Sequence, residues 1–431
     1  MIPTPSKPLD IQLPENTVKD RPVFSDIITS PSGTPRVVNT ADNLQALVTY
    51  CGIGFRFNML EFEPETHDVN GNKINLSYDQ LRSELISAAS RSGLPKSAIE
   101  DHLVALCENN KYHPVKHWLA DDKWDGIERV NEVISCISAK HEQLAQAVVK
   151  RWLVGCIASL YEPIFKSKLV PVLQGAQSYR KTALVERIAN IMPNAFLEGA
   201  ELNPDNKDSV LSCTKSFIVE LGELERTNKN SQGSLKAFIT KAVDTTRPPY
   251  ARSDIKKPRQ THFIATVNGD NFLKDETGSS RFVVIEMERA ADMDALNKLL
   301  GWHYDGTGSL KLTKPELLKQ FWLEVKALYR SGYGWMLSED ETRLVRAINE
   351  PFNDKGSWYD YLKGKYVKED KLTNDMLSWF TAGELVDEDE NLTTRETSLI
   401  GKALKLLSEE KLIKKRKGRA KKTEYRFPSS Q

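Results

Sequence analysis

The sequence predicts an α/β protein: a mainly parallel sheet covered by helices, with a mainly helical region before it and a small winged helix-turn-helix after it. Three observations predict this architecture. Apolar runs of strand length alternate with helical patterns from residue 168 to about residue 289. Amphipathic helical patterns dominate residues 24–165. Near the end of the chain, two short helical patterns precede a basic hairpin.

Length and composition indicate a protein of about two to three domains. Of the 431 residues, 40% are apolar and 28% are charged, and 60 Lys and Arg balance 59 Asp and Glu. Any nucleic-acid footprint should therefore be local. The five cysteines lack metal-ligand spacing, which fits a reducing compartment. Because no signal peptide and no membrane-length apolar run is visible, we expect a cytoplasmic protein without membrane contact.

The N-terminal region predicts an arm and a helical domain. Five prolines within residues 1–22 predict a disordered arm. Residues 23–165 predict a mainly helical domain, with amphipathic helices over residues 76–93, after Pro95 and over residues 141–161. This domain leads directly into the first strand of the predicted parallel sheet.

Residues 168–186 have the layout of a phosphate-binding loop: an apolar strand, a turn that begins at Gly175, then Lys181 and Thr182 at the start of a helix. Such a loop points backbone N–H groups and a helix N-terminus at a phosphate, with the lysine placed to reach the terminal phosphates and Thr182 a metal ion. Arg180 departs from the pattern, because it stands where a second glycine is expected. The predicted phosphate-binding residues are Gly175, Ala176, Gln177, Ser178, Tyr179, Arg180, Lys181 and Thr182.

Polar side chains near the ends of two later strands complete a candidate site for nucleotide hydrolysis. Such a site needs an acid on the Mg²⁺ side, a base for the attacking water and a polar sensor. Glu220 lies where a magnesium-side acid is expected, and Glu223 follows at the mouth of the same site, so either is a candidate base. Asn268 ends the strand pattern 262–268 and would orient the water or contact the γ-phosphate. Each residue alone has an ordinary structural explanation, but their order along the chain indicates nucleotide binding.

An arginine is expected to supply positive charge to the transition state. The candidates are Arg281, in the turn before the last strand, and Arg247, Arg252 and Arg259. In ring-forming ATPases such an arginine acts in trans, which would link hydrolysis to oligomerisation. The basic stretch 247–259 is also a candidate DNA-contacting loop, with an exposed loop that has no DNA role as the alternative.

A separate C-terminal domain is predicted over residues 357–431. It should contain a helix that ends near Phe380, then the segment TAGEL and an acidic turn, then a second helix over residues 394–409 and a basic hairpin. Two short helices followed by a hairpin are typical of a winged helix-turn-helix.

The basic hairpin carries the local charge bias that the whole chain lacks. Residues 411–426 contain nine Lys or Arg and a single acid, Glu424, and Tyr425 and Phe427 are interleaved with them. This pattern predicts a nucleic-acid-binding wing, with a solvated basic tail as the alternative. The predicted contact residues are Lys414, Lys415, Arg416, Lys417, Arg419, Lys421 and Lys422.

Several strings between about residues 100 and 290 resemble one family. ELGEL, LKAFIT, VDTTRPPYAR and HFIATVNGDNFLKDETGSSRF follow in order, and YHPVKHWL and KWDGIERV precede them. Together they resemble the virulence-associated E family of phage- and plasmid-type P-loop ATPases, which is similar to superfamily 3 helicases. The resemblance implies an AAA+-like ATPase core over residues 166–350, ATP and Mg²⁺ as cofactors, and a homo-oligomeric ring such as a hexamer. It also implies work on DNA during replication of a mobile element.

The resemblance carries over residue by residue, with one departure. It assigns Gly175, Lys181 and Thr182 to the phosphate loop, Glu220 and Glu223 to the acidic strand end, Asn268 to the sensor and Arg281 to the arginine of an Arg-Phe turn. Relatives usually keep glycines within the loop, whereas this chain has Arg180 before the lysine. A residue with a Cβ costs about 1–2 kcal/mol in the left-handed backbone geometry of such a position. Arg180 should either add a phosphate contact or block nucleotide access.

Three functions follow as hypotheses. The first is an ATP-dependent DNA helicase or replication initiator that acts on single-stranded DNA or an origin duplex. The second is a DNA-binding replication or regulatory protein whose loop no longer hydrolyses ATP, and the third is an ATPase that acts on protein partners. Residues 1–165 show no paired-carboxylate strand motif and no zinc ligands of a primase domain. If priming is needed, we therefore expect a separate primase.

Overall fold

The computed structural model describes ten segments of the chain, which include most of the predicted site. They are residues 21–74, 76–120, 122–222, 232–246, 255–270, 272–273, 281–353, 355–368, 378–418 and 422–428. Residues 1–20 of the predicted arm lie outside them, as do five predicted site residues or alternatives: Glu223, Arg247, Arg252, Arg419 and Lys421.

The N-terminal region contains the predicted helices and, in addition, a sheet that the sequence analysis did not predict. The helices are α1 Ala41–Tyr50, α2 Tyr78–Ser92, α3 Ser97–Glu108, α4 Pro114–Trp118, α5 Val130–Ser135 and α6 Glu142–Tyr161. The strands are β1 Ile27–Thr29, β2 Pro35–Val37, β3 Gly54–Asn58, β4 Glu63–His67, β5 Lys73–Ile74 and β6 Lys111–Tyr112. Strands β3–β6 form a four-stranded sheet in the order β5-β4-β3-β6. Several of these strands are only two or three residues long, too short for a period-two pattern to stand out.

The central region is the predicted parallel sheet. Its strands are β7 Val170–Gln174, β8 Phe196–Leu197, β9 Ile218–Gly222, β12 His262–Val267 and β13 Phe282–Glu286. They follow the spatial order β13-β7-β12-β9-β8, and each neighbouring pair is parallel. This finding confirms the predicted mixed α/β class with a parallel sheet.

Helices cover both faces of this sheet. The remaining elements of the region are helices α7 Lys181–Ala189, α8 Lys207–Thr214, α9 Gln232–Ile239, α10 Met293–Leu300, α11 Pro315–Arg330 and α12 Glu339–Asn349, with hairpin strands β10 Val243–Thr246, β11 Ile255–Pro258, β14 Trp302–Tyr304 and β15 Leu310–Leu312. Buried side chains of α5, α6, α7, α10 and α11 share one hydrophobic core with the sheet, and those of α8 and α9 share the other. The core on the first face therefore continues across the boundary that the sequence predicts at residue 165.

The C-terminal region has its own hydrophobic core. Its elements are α13 Ser357–Lys363, a π-helical turn Gly364–Lys368, α14 Ala382–Glu388, α15 Thr397–Glu409, β16 Lys414–Lys417 and β17 Thr423–Arg426. Phe380 itself is extended and exchanges backbone hydrogen bonds with Tyr425, while residues 369–377 of the predicted helix lie outside the described segments. The segment TAGEL instead begins α14, where Thr381 and Glu384 form a reciprocal capping box. That Thr-x-x-Glu spacing is a helix-start signal which the sequence analysis overlooked.

None of the helices in the described part of the chain has the length and apolar character needed to cross a membrane.

Candidate functional site

A cleft of about 850 Å³ lies at the carboxyl edge of the parallel sheet. Residues 178–183 of the loop and α7 line it, together with residues at the carboxyl ends of β8, β9 and β12. The strand register explains this convergence, because Gln174 at the end of β7 pairs with Val267 at the end of β12, and Thr266 pairs with Gly222 of β9. In parallel sheets, ligands bind at such carboxyl edges, and the volume fits a small-molecule ligand.

Lys181 is the buried cation of the cleft. Its Nζ donates hydrogen bonds to the backbone oxygens of Gly175 at 2.7 Å and Ala176 at 2.9 Å, and to Asn268 Oδ1 at 2.8 Å. Burial lowers the pKa of Lys181, and the charge of the nearby Glu220 opposes that shift. The structure thus brings together the predicted loop lysine and the predicted sensor asparagine, although they are 87 residues apart in sequence.

Thr182 and Glu220 form the oxygen-rich part of the cleft. Thr182 Oγ1 donates to Glu220 Oε1 at 2.6 Å, and Thr266 Oγ1 donates to the same oxygen at 2.8 Å. The backbone N–H of Gly199 donates to Glu220 Oε2 at 3.3 Å. Glu220 is 1% exposed, and within the described residues it has only these neutral donors and no ion pair. A hydroxyl beside a buried carboxylate fits Mg²⁺, which prefers oxygen ligands and keeps several of its waters.

The loop between β7 and α7 has the tight backbone that the motif predicts. A Cβ on Gly175 would lie 2.7 Å from Tyr179 Cδ2 and 3.2 Å from Met287 Cβ, so this position needs glycine. Tyr179 anchors the loop, because its hydroxyl donates to the backbone oxygen of Glu288 at 3.1 Å. Arg180 adopts φ 61°, the left-handed geometry of a position where the motif predicts a glycine.

Glu198 is a cleft residue that the sequence analysis missed. It follows β8 and lines the cleft, but it belongs to no recognisable sequence motif. Burial raises the pKa of Glu198, and the carboxylates of Glu220 and Glu186 add to that shift. Because β8 has only two residues, its pattern gives no strand signal, so nothing in the sequence placed Glu198 beside Glu220. Ligand sites in parallel sheets lie at the carboxyl ends of strands, so Glu198 could have been identified only once β8 was known.

Glu223 lies outside the described residues, and the choice between Glu220 and Glu223 as base stays a prediction.

Among the alternative arginines, Arg247 and Arg252 also lie outside the described residues. The structure corrects the prediction that Arg259 is a candidate catalytic arginine. Its Nε and Nη2 donate to both carboxylate oxygens of Asp244 at 2.6 and 2.5 Å, with only 4% and 2% of the two side chains exposed. A bidentate buried ion pair holds the base of the β10–β11 hairpin, so Arg259 is not a free charge for catalysis.

Lys257 also has a structural role. The stretch 247–259 was predicted to be a DNA-contacting loop or an exposed loop without a DNA role, and both predictions are wrong at Lys257. It is 1% exposed, and its Nζ donates to the backbone oxygens of Met59 at 3.1 Å, Leu60 at 3.3 Å and Thr214 at 2.9 Å. The ammonium also lies 4.0 Å from the centroid of the Phe62 ring. The described base of the hairpin therefore anchors the N-terminal sheet to the parallel-sheet region, while residues 247–254 lie outside the described segments.

This anchor predicts a pH dependence of stability. Burial lowers the pKa of Lys257 from its ordinary value to about 7. Between pH 7 and pH 10 the unfolded chain therefore binds a proton that the native chain lacks, so the free energy of unfolding should rise with pH, by at most about 1.4 kcal/mol per unit. Thermal unfolding across this range should show the rise in wild type and in Lys256→Met, an exposed neighbour, and lose it in Lys257→Met. Parallel pH profiles for all three proteins would contradict the prediction.

Arg281 lies at the opposite edge of the sheet from the cleft. Its backbone oxygen accepts from Val170 N at 2.8 Å, at the start of β7, whereas the loop follows Gln174 at the other end. The five-residue strand separates these ends by about 17 Å. Its Nε is buried without a hydrogen-bond partner in the described parts of the chain. The structure thus does not bring Arg281 to the cleft of its own chain.

The C-terminal basic hairpin forms as predicted, but its aromatic residues do not point to solvent. All four residues of β16 are exposed, and Arg416 pairs with Glu424 and lies 4.2 Å from the Trp379 ring centroid. Tyr425 and Phe427 are buried, with Phe427 stacked on Tyr366 and Phe380 at 4.6 and 4.9 Å between centroids. These two aromatic residues, whose interleaving favoured a nucleic-acid-binding wing, instead hold the hairpin onto the domain core.

The family model described as the virulence-associated protein E-like domain matches residues 119–354, more than half of the chain. The chain is also similar to solved apo structures of the NrS-1 C-terminal region. The apo structure of its residues 305–718 is 11% identical, with a TM-score of 0.46, and the match covers 89% of this chain and 98% of that one. Two A-form apo structures of the region give TM-scores of 0.45 and 0.43 at 11% and 12% identity, each covering 89% of this chain and 98% or 99% of the other. No curated protein matches the chain. The family match includes the parallel sheet and its cleft, and leaves out the four-stranded N-terminal sheet and the C-terminal region.

Proposed function

The chain belongs to the virulence-associated protein E-like family, and on this premise we propose that it is an ATP-dependent DNA helicase or replication initiator of a phage, plasmid or integrated mobile element. The observation that carries the proposal is the convergence of Lys181, Thr182, Glu220 and Asn268 on one cleft. In this interpretation the parallel sheet is an AAA+-like P-loop core, and the C-terminal region is a winged helix-turn-helix.

The cleft residues have distinct roles in the proposed ATPase. Backbone N–H groups of the loop and the N-terminus of α7 bind the phosphates, and Lys181 adds a positive charge held in place by Asn268. When bound between Thr182 and Glu220, Mg²⁺ would neutralise charge on the phosphoryl oxygens. The base is Glu220, Glu223 or the newly found Glu198, whose raised pKa favours proton uptake.

The position of Arg281 supports the proposal of a homo-oligomeric ring. Because Arg281 lies across the sheet from the cleft of its own chain, it can contribute to hydrolysis only in a neighbouring subunit. In a ring built from identical head-to-tail contacts, one edge of each subunit faces the opposite edge of the next. The placement therefore supports a ring in which Arg281 reaches the neighbour's phosphates. A separate primase remains the proposed source of primers.

The C-terminal domain is the proposed DNA-binding module. Helix α15 packs its apolar face into the domain core and exposes Ser398, Leu399 and Lys405. In a winged helix-turn-helix this second helix lies in the major groove, while basic wing residues contact phosphates. The exposed strand β16 fits the wing role.

A triple substitution tests the wing. Lys414→Ala, Lys415→Ala and Lys417→Ala together should weaken DNA binding uniformly across sequences, because these exposed lysines would contact phosphates rather than bases. The slope of log affinity against log salt should also fall by about 3. Fluorescence anisotropy with a labelled duplex at several salt concentrations measures both effects. The control is a triple alanine variant of Lys298, Lys311 and Lys314, exposed lysines of the sheet region; an equal loss in that control would assign the effect to net charge alone.

ATP hydrolysis by the purified protein, with and without single-stranded DNA, tests the function. Stimulation by DNA is the result expected of a motor. DNA binding without turnover would favour the second hypothesis, a regulatory protein with a non-hydrolysing loop, to which Arg180 in the loop gives some support. Hydrolysis that is insensitive to DNA would instead favour an ATPase that acts on protein partners.

A further inference from the structure

Arg180 occupies a backbone conformation that does not suit it. With φ 61° and ψ 31° it lies in the left-handed region, directly before the nine-residue helix α7. Arginine pays a steric cost there that glycine avoids, because its Cβ crowds the following carbonyl oxygen. Strained residues of this kind persist where the surrounding structure or a function requires them.

Contacts with the described residues do not offset this cost. The Arg180 side chain is exposed, so it gains no hydrophobic burial. It provides no side-chain cap for α7, and the described residues offer it neither an ion pair nor a side-chain hydrogen bond. Its backbone oxygen accepts from Leu184 N at 3.0 Å, but that bond is available to any residue at this position. The reason for an arginine here should therefore be a ligand.

The position of Arg180 indicates what that ligand is. The residue lines the cleft beside Lys181, at the N-terminus of α7, where backbone N–H groups and the helix dipole already favour an anion. We propose that Arg180 binds the phosphates of the nucleotide directly, as a second cation beside Lys181. This inference rests on the proposed nucleotide-binding function and gives the Arg180 side chain a defined role in it.

The two cations would differ in what they supply. Lys181 is fixed by three acceptors and acts as a buried point charge. Arg180 presents a planar fork of N–H donors from the solvent side, which can bind two phosphate oxygens at once. Its flexible side chain would order on nucleotide binding. Arginine at this position lacks the backbone freedom of glycine, but it provides an additional charge-assisted contact to the phosphates.

The decisive variant is Arg180→Gly, because it relieves the strain and removes the charge in one step. We expect it to raise the melting temperature of the ligand-free protein and to weaken MgATP binding about ten- to hundredfold. Arg180→Lys should retain part of the affinity, since it keeps the charge without the fork. Thermal unfolding and isothermal titration calorimetry with MgATP measure the two effects separately.

Lys411→Gly is the matched control. Lys411 is an exposed residue of the C-terminal region, does not line the cleft and has φ 62°, so the glycine relieves a similar strain and removes a charge at another site. It should raise the melting temperature and leave MgATP affinity unchanged.

The outcomes separate this inference from the proposed function. If Arg180→Gly binds MgATP as tightly as wild type or more tightly, Arg180 is not a phosphate ligand, and a gain in affinity would show that it obstructs the cleft. If wild type binds MgATP and Lys181→Ala does not, the nucleotide site stands whatever Arg180 does. Absence of MgATP binding in wild type would overturn both proposals, unless Arg180→Gly binds, which overturns only the role given to Arg180.

Discussion

Lys181→Ala should lower ATP hydrolysis about a hundred- to thousandfold, the usual cost of removing one preorganised donor from a transition state. Lys181 is the buried cation among the loop residues of the cleft, and three acceptors fix its Nζ there. Alanine removes the charge and leaves the Gly175 and Ala176 carbonyls without that donor. Steady-state phosphate release, with and without single-stranded DNA, measures the loss. DNA binding by the C-terminal domain should not change.

The control for this prediction is Lys168→Ala. Lys168 is exposed and lies just before β7, at the end of the strand away from the cleft. Its substitution should leave hydrolysis intact. If Lys181→Ala hydrolyses ATP as fast as wild type while remaining folded, the loop is not the hydrolytic site, and the P-loop assignment fails.

The sequence could predict the centre of the site because parallel sheets impose its geometry. Once strands are placed before Gly175, at Glu220 and before Asn268, their carboxyl ends must share an edge. The order of neighbouring strands was not needed for that conclusion. The hydrogen bonds from Thr182 to Glu220 and from Lys181 to Asn268 therefore confirm that these predicted residues lie together.

Other features depend on register, which the sequence does not reveal. Arg259 and Lys257 look like free charges in a basic stretch, and only the antiparallel pairing of β10 and β11 places Asp244 opposite this segment. Lys257 then projects to carbonyls more than 40 residues away at Thr214 and almost 200 away at Met59. Tyr425 and Phe427 illustrate the same limit, because alternation along β17 does not by itself say which face meets the core.

Arg281→Ala should abolish hydrolysis at least as completely as Lys181→Ala, although Arg281 lies at the other edge of the sheet. The reason is the proposed trans contact, in which Arg281 stabilises the phosphoryl charge in a neighbour's cleft. An arginine of this type is worth about 10³–10⁵ in rate. Mixing the two inactive variants should then restore activity. In a randomly assembled ring of equal parts, about a quarter of the interfaces would join an intact Lys181 to an intact Arg281.

Phosphate release by the individual variants and their mixture measures this complementation. The control mixes Arg281→Ala with the double variant Lys181→Ala, Arg281→Ala, which can form the same ring but supplies no intact arginine, so it should stay inactive. Recovery only in the first mixture requires that each site combine residues from two subunits. If Arg281→Ala alone keeps wild-type turnover, Arg281 is no part of the reaction. If both variants are inactive and their mixture stays inactive while the subunits exchange, the trans contact is excluded and Arg281 acts within its own chain. Because Arg281 and the cleft lie at opposite edges of the sheet, that result would require a large rearrangement of the sheet.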